Sequence, residues 1–333
     1  MAEYQKFGVV GGGAWGTALA QTLAFGGRDV LLWAFELETI SEINEFHTNR
    51  NYLPGVTLNS SIQATGKLSE IGECDAVLLV APAQHLGAIV GDLGNYLKTD
   101  IPLIICSKGI ERNSGKLLSE VISEASPKGH VLALSGPSFA SEVARGMPAA
   151  VTLACSDPVM GQALIDSIGH KSFRPYLSDD LVGVQIGGAL KNVLAIAAGI
   201  VDGKELGASA HAALVTRGFG ELVQFGMACG GKRETMMGLS GFGDLLLTCS
   251  SQQSRNMTLG RALGQGQSLE EILGGRKSVS EGVYTAGVAH KLAQEKGLDA
   301  PIMEAVYRVL EGQVSVDAAI EDLLTRPFGL EIS

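Results

Sequence analysis

The sequence predicts an α/β fold: a Rossmann-like, doubly wound, mostly parallel sheet followed by an all-α second domain. A glycine-rich turn joins a strand-like run to a helix near the N-terminus, and apolar runs of strand length then alternate with segments of helical length. After Ser178 only long helical segments follow. Because 333 residues suit two domains, we predict a dinucleotide-binding domain over residues 1–180 and an α-helical substrate and catalytic domain over residues 181–333.

The first element is a glycine turn after a short strand. Lys6–Val10 forms an apolar run that leads into GGGAWG, which begins at Gly11. In a G-x-G-x-x-G turn, Gly11 allows the tight bend, Gly13 lets the backbone approach a pyrophosphate, and Gly16 lets the next helix pack closely on the strand. That helix presents free N–H groups to the phosphates. With a second strand predicted at Val30–Trp33, the order of elements indicates a dinucleotide site.

Four more apolar runs have the length of strands. Ligands of a doubly wound sheet bind beyond the carboxyl ends of its strands, so the residues that directly follow each run are candidate site residues. Lys108 follows one run directly, and we expect its ammonium to lie over the cofactor crevice; a solvated loop lysine is the alternative. The four runs are Val77–Ala81, Leu103–Cys106, Val131–Leu134 and Ala149–Leu153.

Lys191 is the only charged side chain between Asp180 and Asp202, in a stretch apolar enough to be buried. Burial in an apolar setting favours the neutral form of an amine, and a neutral amine is a usable general base. We therefore predict that Lys191 titrates below an ordinary lysine and transfers a proton, on a helix that faces the carboxyl edge of the sheet. The alternative is a lysine whose stem covers apolar surface while its ammonium stays in water.

Two later blocks carry candidate ligand-binding groups. Asp244 is the single carboxylate of the glycine-rich, apolar segment Gly238–Cys249. Ser254, Arg255 and Asn256 precede a predicted helix, with Ser254 as its N-cap. An arginine fork and the N–H groups of a helix start suit a phosphate dianion. The alternatives are an aspartate that orders its own glycine loop and an arginine on a solvated face.

Composition excludes several classes of function. A net charge of −10 argues against a nucleic-acid or anionic-membrane surface. The apolar span 181–201 is long enough to cross a bilayer, but Gln185, Lys191 and Asn192 at its middle and its acidic flanks argue against an integral membrane span. Five cysteines without a C-x-x-C pair, and an N-terminus without a signal-peptide pattern, favour the cytoplasm. The six scattered histidines lack metal-ligand spacing, so we predict no metal site.

Seven motifs occur in a fixed order: GGGAWGTALA, SKGI, SGPSFA, LKNVLAIAAGIVDG, AALVTRG, GLSGFGDLLLTC and SQQSRN. Together they resemble the bacterial type of NAD(P)-dependent glycerol-3-phosphate dehydrogenase, from about residue 5 to about residue 330. The resemblance implies interconversion of sn-glycerol 3-phosphate and dihydroxyacetone phosphate by hydride transfer with NAD(P). It also implies a role in glycerophospholipid synthesis and a homodimer.

The resemblance and the glycine turn together assign roles to residues. Lys191 matches the proton acceptor of the family. The implied cofactor contacts are Gly11, Gly13, Ala14, Trp15, Gly16, Phe35, Lys108, Ala140, Arg255, Val279 and Glu281. The implied substrate contacts are Lys108, Gly136, Ser138, Lys191, Asp244, Ser254, Arg255 and Asn256.

The chain departs from the family pattern in two places. Family members often carry arginine or histidine just after the second strand, where this chain has Ala34 and Phe35 followed by Glu36. A carboxylate about twenty residues after Gly16 would accept hydrogen bonds from a ribose 2′-OH and repel a 2′-phosphate, so we predict that both NAD and NADP are accepted, without strict NADP preference. Ser209 also replaces an asparagine that the family usually has.

Two other functions are compatible with these sequence features. One keeps the architecture and changes the substrate, as in reductases of the 6-phosphogluconate or ketopantoate type, which the Ser-Arg-Asn block disfavours. The other is a nucleotide sensor that binds NADPH without turnover. An absorbance assay with dihydroxyacetone phosphate and each reduced nucleotide distinguishes these from the favoured function.

Overall fold

A computed structural model describes residues 4–274 and 280–327. Its eight strands are β1 (Lys6–Val10), β2 (Asp29–Trp33), β3 (Gln63–Thr65), β4 (Ala76–Leu79), β5 (Ile101–Ile105), β6 (Gly129–Ser135), β7 (Ala149–Ala154) and β8 (Phe173–Ser178). They form one sheet in the order β3-β2-β1-β4-β5-β6-β7-β8. Because the order proceeds outward from β1 in both directions, the sheet is doubly wound, and the predicted fold class is confirmed.

Helices cover both faces of this sheet, and one apolar core fills each side. The helices between strands are α1 (Ala14–Phe25), α2 (Leu37–Phe46), α3 (Leu68–Ile71), α4 (Ala83–Leu93), α5 (Leu118–Ala125), α6 (Ala140–Val143) and α7 (Pro158–Ile168). Asp157 caps α7 by accepting hydrogen bonds from the first-turn amides of Val159 and Met160.

The sheet differs from the prediction at three strands. β7 runs antiparallel to β6, because the segment between them contains only the four-residue helix α6 and does not carry the chain back across the sheet. β3 has only three residues, too few to stand out as an apolar run. β8 lies at the edge of the sheet, where Pro175 is tolerated and alternate residues are exposed, so it lacks an apolar run as well.

Within the described residues, the chain after β8 is entirely helical, with its own apolar core. Its elements are α8 (Leu181–Gly203), α9 (Ala208–Ala228), α10 (Arg233–Met237), a π-helical turn (Leu239–Gly243), α11 (Asp244–Cys249), α12 (Arg255–Gly264), α13 (Leu269–Gly274), α14 (Glu281–Lys296), α15 (Pro301–Leu310) and α16 (Val316–Leu324). α8 is long and apolar enough to cross a membrane by length and composition, but its most apolar stretch is 100% buried inside the protein. The helix is therefore the central core element of this half of the chain.

Four glycines let α8 and α12 pack backbone to backbone. A methyl group at Gly260 would lie 2.0 Å from the carbonyl oxygen of Ile196, and one at Gly199 would lie 2.1 Å from that of Met257. Paired small residues four positions apart are the usual means of such close approach. The four glycines are Gly199 and Gly203 on α8 and Gly260 and Gly264 on α12. This packing fixes the start of α12 beside the middle of α8.

We expect Gly260→Ala to destabilise the protein by about 1–3 kcal/mol, because the two helices must move apart to admit the methyl group. The urea midpoint of unfolding, followed by circular dichroism, measures the loss. Gly91→Ala on α4 is the matched control: nothing lies within 4 Å of its added methyl group, so it should stabilise by up to about 1 kcal/mol. Similar midpoints for the two variants would contradict the close packing.

Candidate active site

The glycine turn lies between β1 and α1 at the carboxyl edge of the sheet. Gly11 has a φ of +131°, and a methyl group there would lie 2.8 Å from the backbone nitrogen of Ala81. At Gly16 a methyl group would lie 1.9 Å from the carbonyl oxygen of Gly11. At Gly13 it would meet no protein atom within 4 Å. Packing thus requires glycine at positions 11 and 16, and close approach of a ligand remains the reason for glycine at position 13.

Ala14 and Trp15 begin α1 directly after this turn. The first amides of a helix have no partner inside the helix, so they are available to an anion. The indole nitrogen of Trp15 is buried and has no hydrogen-bond partner in the part of the chain that the structure describes. The open space beside Gly13 and the free backbone amides of Ala14 and Trp15 together fit a pyrophosphate.

Phe35 and Glu36 follow the end of β2 and lie beside the same turn. A methyl group at Gly12 would be 2.7 Å from the Cβ atom of Ala34, so the two backbones are in close contact. Phe35 is 83% exposed. The hydroxyl of Tyr52 donates a hydrogen bond of 3.0 Å to Oε1 of Glu36. An exposed aromatic ring and a fixed carboxylate therefore border the glycine turn.

Two lysines share one buried carboxylate where β5 and β6 end. Lys191 Nζ lies 2.6 Å from Oδ1 of Asp244, and Lys108 Nζ lies 2.6 Å from Oδ2. Lys108 also donates to the carbonyl oxygen of Gly136 at 3.1 Å, and Lys191 donates to the hydroxyl of Thr248 at 2.8 Å. The side chains of Lys191 and Asp244 are 8% and 1% exposed. The arrangement brings four of the predicted site residues together.

Burial lowers the pKa of Lys191 to about 8. Within this net value, the charge of Asp244 raises the pKa of Lys191 and the positive charge of Lys108 lowers it. Desolvation is the largest of these effects. It is also the effect that the apolar sequence around Lys191 predicts. The amine is thus close to half-protonated at mildly alkaline pH and can either accept or release a proton.

The start of α12 packs against α8 through a buried pair of asparagines. Ser254 is the N-cap, as predicted, and its hydroxyl accepts from the backbone N–H of Met257 at 3.2 Å. Asn256 donates to Oδ1 of Asn192 at 2.9 Å and accepts from the backbone N–H of Gly282 at 3.2 Å. Asn192 is the neighbour of Lys191 along α8, so these bonds fix the helix start close to the amine.

Glu281 begins α14 and reaches back to the sheet. Its Oε1 accepts from the backbone N–H of Ala83 at 3.4 Å, and its Oε2 is buried without a hydrogen-bond partner among the described residues. A methyl group at Gly109 would lie 3.2 Å from that oxygen. Burial raises the pKa of Glu281, and the Ala83 N–H and the charge of Arg255 lower it. Glu281 thus lies between the loops that follow β4 and β5, with Arg255 within electrostatic reach.

The remaining predicted residues are distributed around this cluster. The hydroxyl of Ser138 donates to the carbonyl oxygen of Gly136 at 3.1 Å, in the loop after β6, and Ala140 begins α6. Arg255 is exposed at the first position of α12. Val279 lies outside the described residues. In the described ranges, no group of three or more His, Cys, Asp or Glu side chains is arranged to hold a metal ion.

Sequence reasoning did not single out Thr248 and Asn192 as site residues. Thr248 lies one helical turn after Asp244, a spacing that places both side chains on one face of α11 and could have indicated it. Asn192 gave no comparable signal, because its partner is distant in sequence. Both hold groups of the cluster in place.

This arrangement suits proton transfer to a small anionic substrate. The amine of Lys191 is shielded from water, lies at the edge of the sheet where the nucleotide is predicted to bind, and has a cation, Lys108, beside it. The N-terminus of α12 and Arg255 offer an anion site nearby. The chemistry supported is general acid–base catalysis on an oxygen of a phosphorylated compound.

Comparisons with known proteins agree with this description. The family model described as NAD-dependent glycerol-3-phosphate dehydrogenase N-terminus matches residues 6–160, and the corresponding C-terminus model matches residues 180–321. Proteins named glycerol-3-phosphate dehydrogenase [NAD(P)+] from Parvibaculum lavamentivorans and Maricaulis maris are 54% and 53% identical, over 98% and 99% of both chains. The crystal structure of glycerol-3-phosphate dehydrogenase from Coxiella burnetii superimposes with a TM-score of 0.92 at 35% identity, over 97% of this chain and 99% of that one.

Proposed function

Since the chain belongs to the NAD-dependent glycerol-3-phosphate dehydrogenase family, we propose that it interconverts sn-glycerol 3-phosphate and dihydroxyacetone phosphate with NAD(P), and that Lys191 moves the proton. The observation that carries this proposal is the buried amine of Lys191, bonded to Asp244 and Thr248 at the carboxyl edge of the sheet. Such an amine serves as a base when neutral and as an acid when protonated.

The residues of the glycine turn would hold the dinucleotide. The free amides of Ala14 and Trp15 and the open approach at Gly13 fit its pyrophosphate, and Phe35 and Glu36 border the position of its adenosine half. Bound nicotinamide supplies a hydride in one direction and accepts it in the other.

Lys191 would transfer the proton that accompanies hydride transfer. In the oxidative direction its neutral amine accepts the proton of the secondary hydroxyl group, and in the reductive direction its ammonium donates a proton to the developing alkoxide. Asp244 and Thr248 hold the nitrogen in one position for both steps. Help of this kind contributes roughly a hundred- to ten-thousandfold to the rate.

The substrate phosphate would bind at the start of α12. Arg255 offers a planar pair of donors, and the helix N-terminus behind Ser254 adds its partial positive charge. The bonds of Asn256 to Asn192 and Gly282 keep this anion site at a fixed distance from Lys191. Binding energy at the phosphate then places the reacting carbon beside the amine.

The proposal extends to organisation and location. The end of β8 at Ser178 and the start of α8 at Leu181 support a dinucleotide-binding domain over residues 1–180 and a substrate and catalytic domain over residues 181–333.

Five free thiols are compatible with a reducing cytoplasm, where the enzyme would supply glycerol 3-phosphate for glycerophospholipid synthesis. The exposed face of α9, with Thr216, Gly220 and Met227, is a candidate surface for a homodimer.

The pH dependence of turnover tests the proposed role of Lys191. We expect kcat/KM for oxidation to rise as pH passes through about 8, because the base must be neutral, and kcat/KM for reduction to fall over the same window, because the acid must be protonated. Absorbance of the reduced nicotinamide between about pH 6 and about pH 10 measures both. A flat profile in this range would contradict the assignment, and binding without turnover would indicate the nucleotide sensor.

A further inference from the structure

We propose that Glu36, held in position by Tyr52, makes the enzyme select NAD(H) over NADP(H). The inference rests on the proposed function and adds to it a coenzyme preference and the residues that determine it. It predicts that NADP(H) is still accepted, but with lower affinity. The deciding contact is the 3.0 Å hydrogen bond from the hydroxyl of Tyr52 to Oε1 of Glu36.

Both residues are anchored to the glycine turn. On one side, Ala34 packs against Gly12, and Glu36 follows two residues later as the N-cap of α2. On the side of Tyr52, the anchor is Asn49, which is 1% exposed. Its side-chain amide donates to the carbonyl oxygen of Gly12 and to the hydroxyl of Thr17, both at 2.8 Å.

Asn49 also fixes the position of the tyrosine. The backbone N–H of Tyr52 donates to the carbonyl oxygen of Asn49 at 3.3 Å. The glycine turn, Asn49, Tyr52 and Glu36 therefore form one continuous hydrogen-bonded and packed unit. The carboxylate has a defined place relative to the turn that fits the pyrophosphate, although Glu36 itself is exposed.

The charges around this unit disfavour a 2′-phosphate. The segment from Ala34 to Thr39 contains two carboxylates, Glu36 and Glu38, and no lysine or arginine. Arg50 is the only arginine or lysine between Ala34 and Tyr52, and its Nε lies 2.8 Å from Oε1 of Glu42. Lys67, two residues after the Thr65 that pairs with Trp33, also lies at this edge, and its Nζ is 3.3 Å from Oε1 of Glu70. Both cations near this edge are thus paired with carboxylates of their own, and Glu36 suits the 2′-OH of NAD(H) and repels a 2′-phosphate.

Tyr52 contributes by orienting the carboxylate. Burial and the hydrogen bond to Glu36 raise the pKa of Tyr52, so its hydroxyl stays protonated and remains a donor at neutral pH. The bond engages one oxygen of Glu36, Oε1, and the second oxygen can accept from a ribose hydroxyl. Tyr52 is thus a positioning residue, and its effect should appear in coenzyme affinity and leave the chemical step unchanged.

Equilibrium binding of NADH and of NADPH, followed by nucleotide fluorescence, tests the inference without requiring turnover. We expect the wild-type protein to bind NADH at least about tenfold more tightly than NADPH at low ionic strength, and Glu36→Gln to remove most of this difference. Tyr52→Phe should weaken NADH binding about fivefold, the effect of one hydrogen bond, with kcat unchanged at saturating NADH. Glu38→Gln is the matched control for net charge: it removes an equal charge from the same helix turn but not the carboxylate that Tyr52 holds, so it should reduce the preference less than Glu36→Gln does.

Salt provides an independent measurement. Added salt should reduce the wild-type preference for NADH, because it screens the repulsion of the 2′-phosphate, and should affect Glu36→Gln less. Equal affinities of the wild type for both nucleotides, no binding of either, or equal effects of Glu36→Gln and Glu38→Gln would overturn the inference. A preference that disappears in Glu36→Gln, in a protein that fails to reduce dihydroxyacetone phosphate, would support the inference and refute the proposed function.

Discussion

Replacing Lys191 with alanine is expected to lower kcat by about a hundred- to ten-thousandfold and to leave NADH affinity close to that of the wild type. The variant lacks the group that exchanges a proton with the substrate oxygen, whereas the glycine turn that fits the nucleotide is unchanged. The fold should persist, because Asp244 keeps its ion pair with Lys108 at 2.6 Å. Steady-state kinetics and a separate nucleotide titration measure the two quantities, and Lys191→Met repeats the test with the side-chain volume retained.

Two variants define the specificity of that effect. Lys204→Ala removes a lysine from the C-terminal end of the same helix, where it pairs with the exposed Asp317, and should leave kcat unchanged. Arg255→Ala should chiefly raise KM for the phosphorylated substrate, because its role is binding. Equal and modest losses in Lys191→Ala and Arg255→Ala would show that the proton-transfer and phosphate-binding roles are wrongly assigned.

Local sequence signals were enough to predict most of the sheet. β1, the glycine turn and β2 each have an apolar run or a fixed glycine spacing, and the structure places them as predicted. β8 could not be predicted in this way, because an edge strand with Pro175 and exposed alternate residues has no apolar run. The reversal at β7 depends on where the chain goes after β6, and no short segment of sequence encodes that path.

The residues of the candidate site also differ in how far local sequence predicts them. Lys191 could be predicted because burial of a single amine among apolar residues favours its neutral form, and Lys108 because it follows a buried strand directly. Their common partner, Asp244, lies 53 positions from Lys191, and the pairing depends on how α11 packs against α8. The bond between Asn192 and Asn256 likewise depends on the glycine contact between α8 and α12, a tertiary feature that apolar periodicity does not report.

Asp244→Asn is expected to shift the pH profile to lower pH and to destabilise the fold. The charge of Asp244 raises the pKa of Lys191, so its loss should move that pKa below about 8. The rise of kcat/KM for oxidation and the fall of kcat/KM for reduction should both shift to lower pH with it. At neutral pH the reductive reaction then has less of the protonated acid, and its kcat/KM falls. Kinetics in both directions across the same pH range measure the shift.

The stability of this variant has a pH dependence of its own. Removal of one partner from a buried ion group costs about 3–5 kcal/mol, because Lys108 and Lys191 would face each other without a compensating charge. This deficit should be fully present at acid pH, where Lys191 is protonated in both proteins. It should shrink as pH rises towards about 8, because the variant amine loses its proton first and the repulsion with Lys108 is relieved.

The matched control for both measurements is Asp202→Asn. Asp202 also lies on α8, but its ion pair with Arg261 is about 40% exposed on each side, and such pairs contribute little to stability. We expect its urea midpoint and its pH profile to follow those of the wild type. If Asp244→Asn instead left the profile in place and lowered stability equally at every pH, Asp244 would not set the charge of Lys191. Desolvation and the charge of Lys108 would then account for the low pKa of the amine.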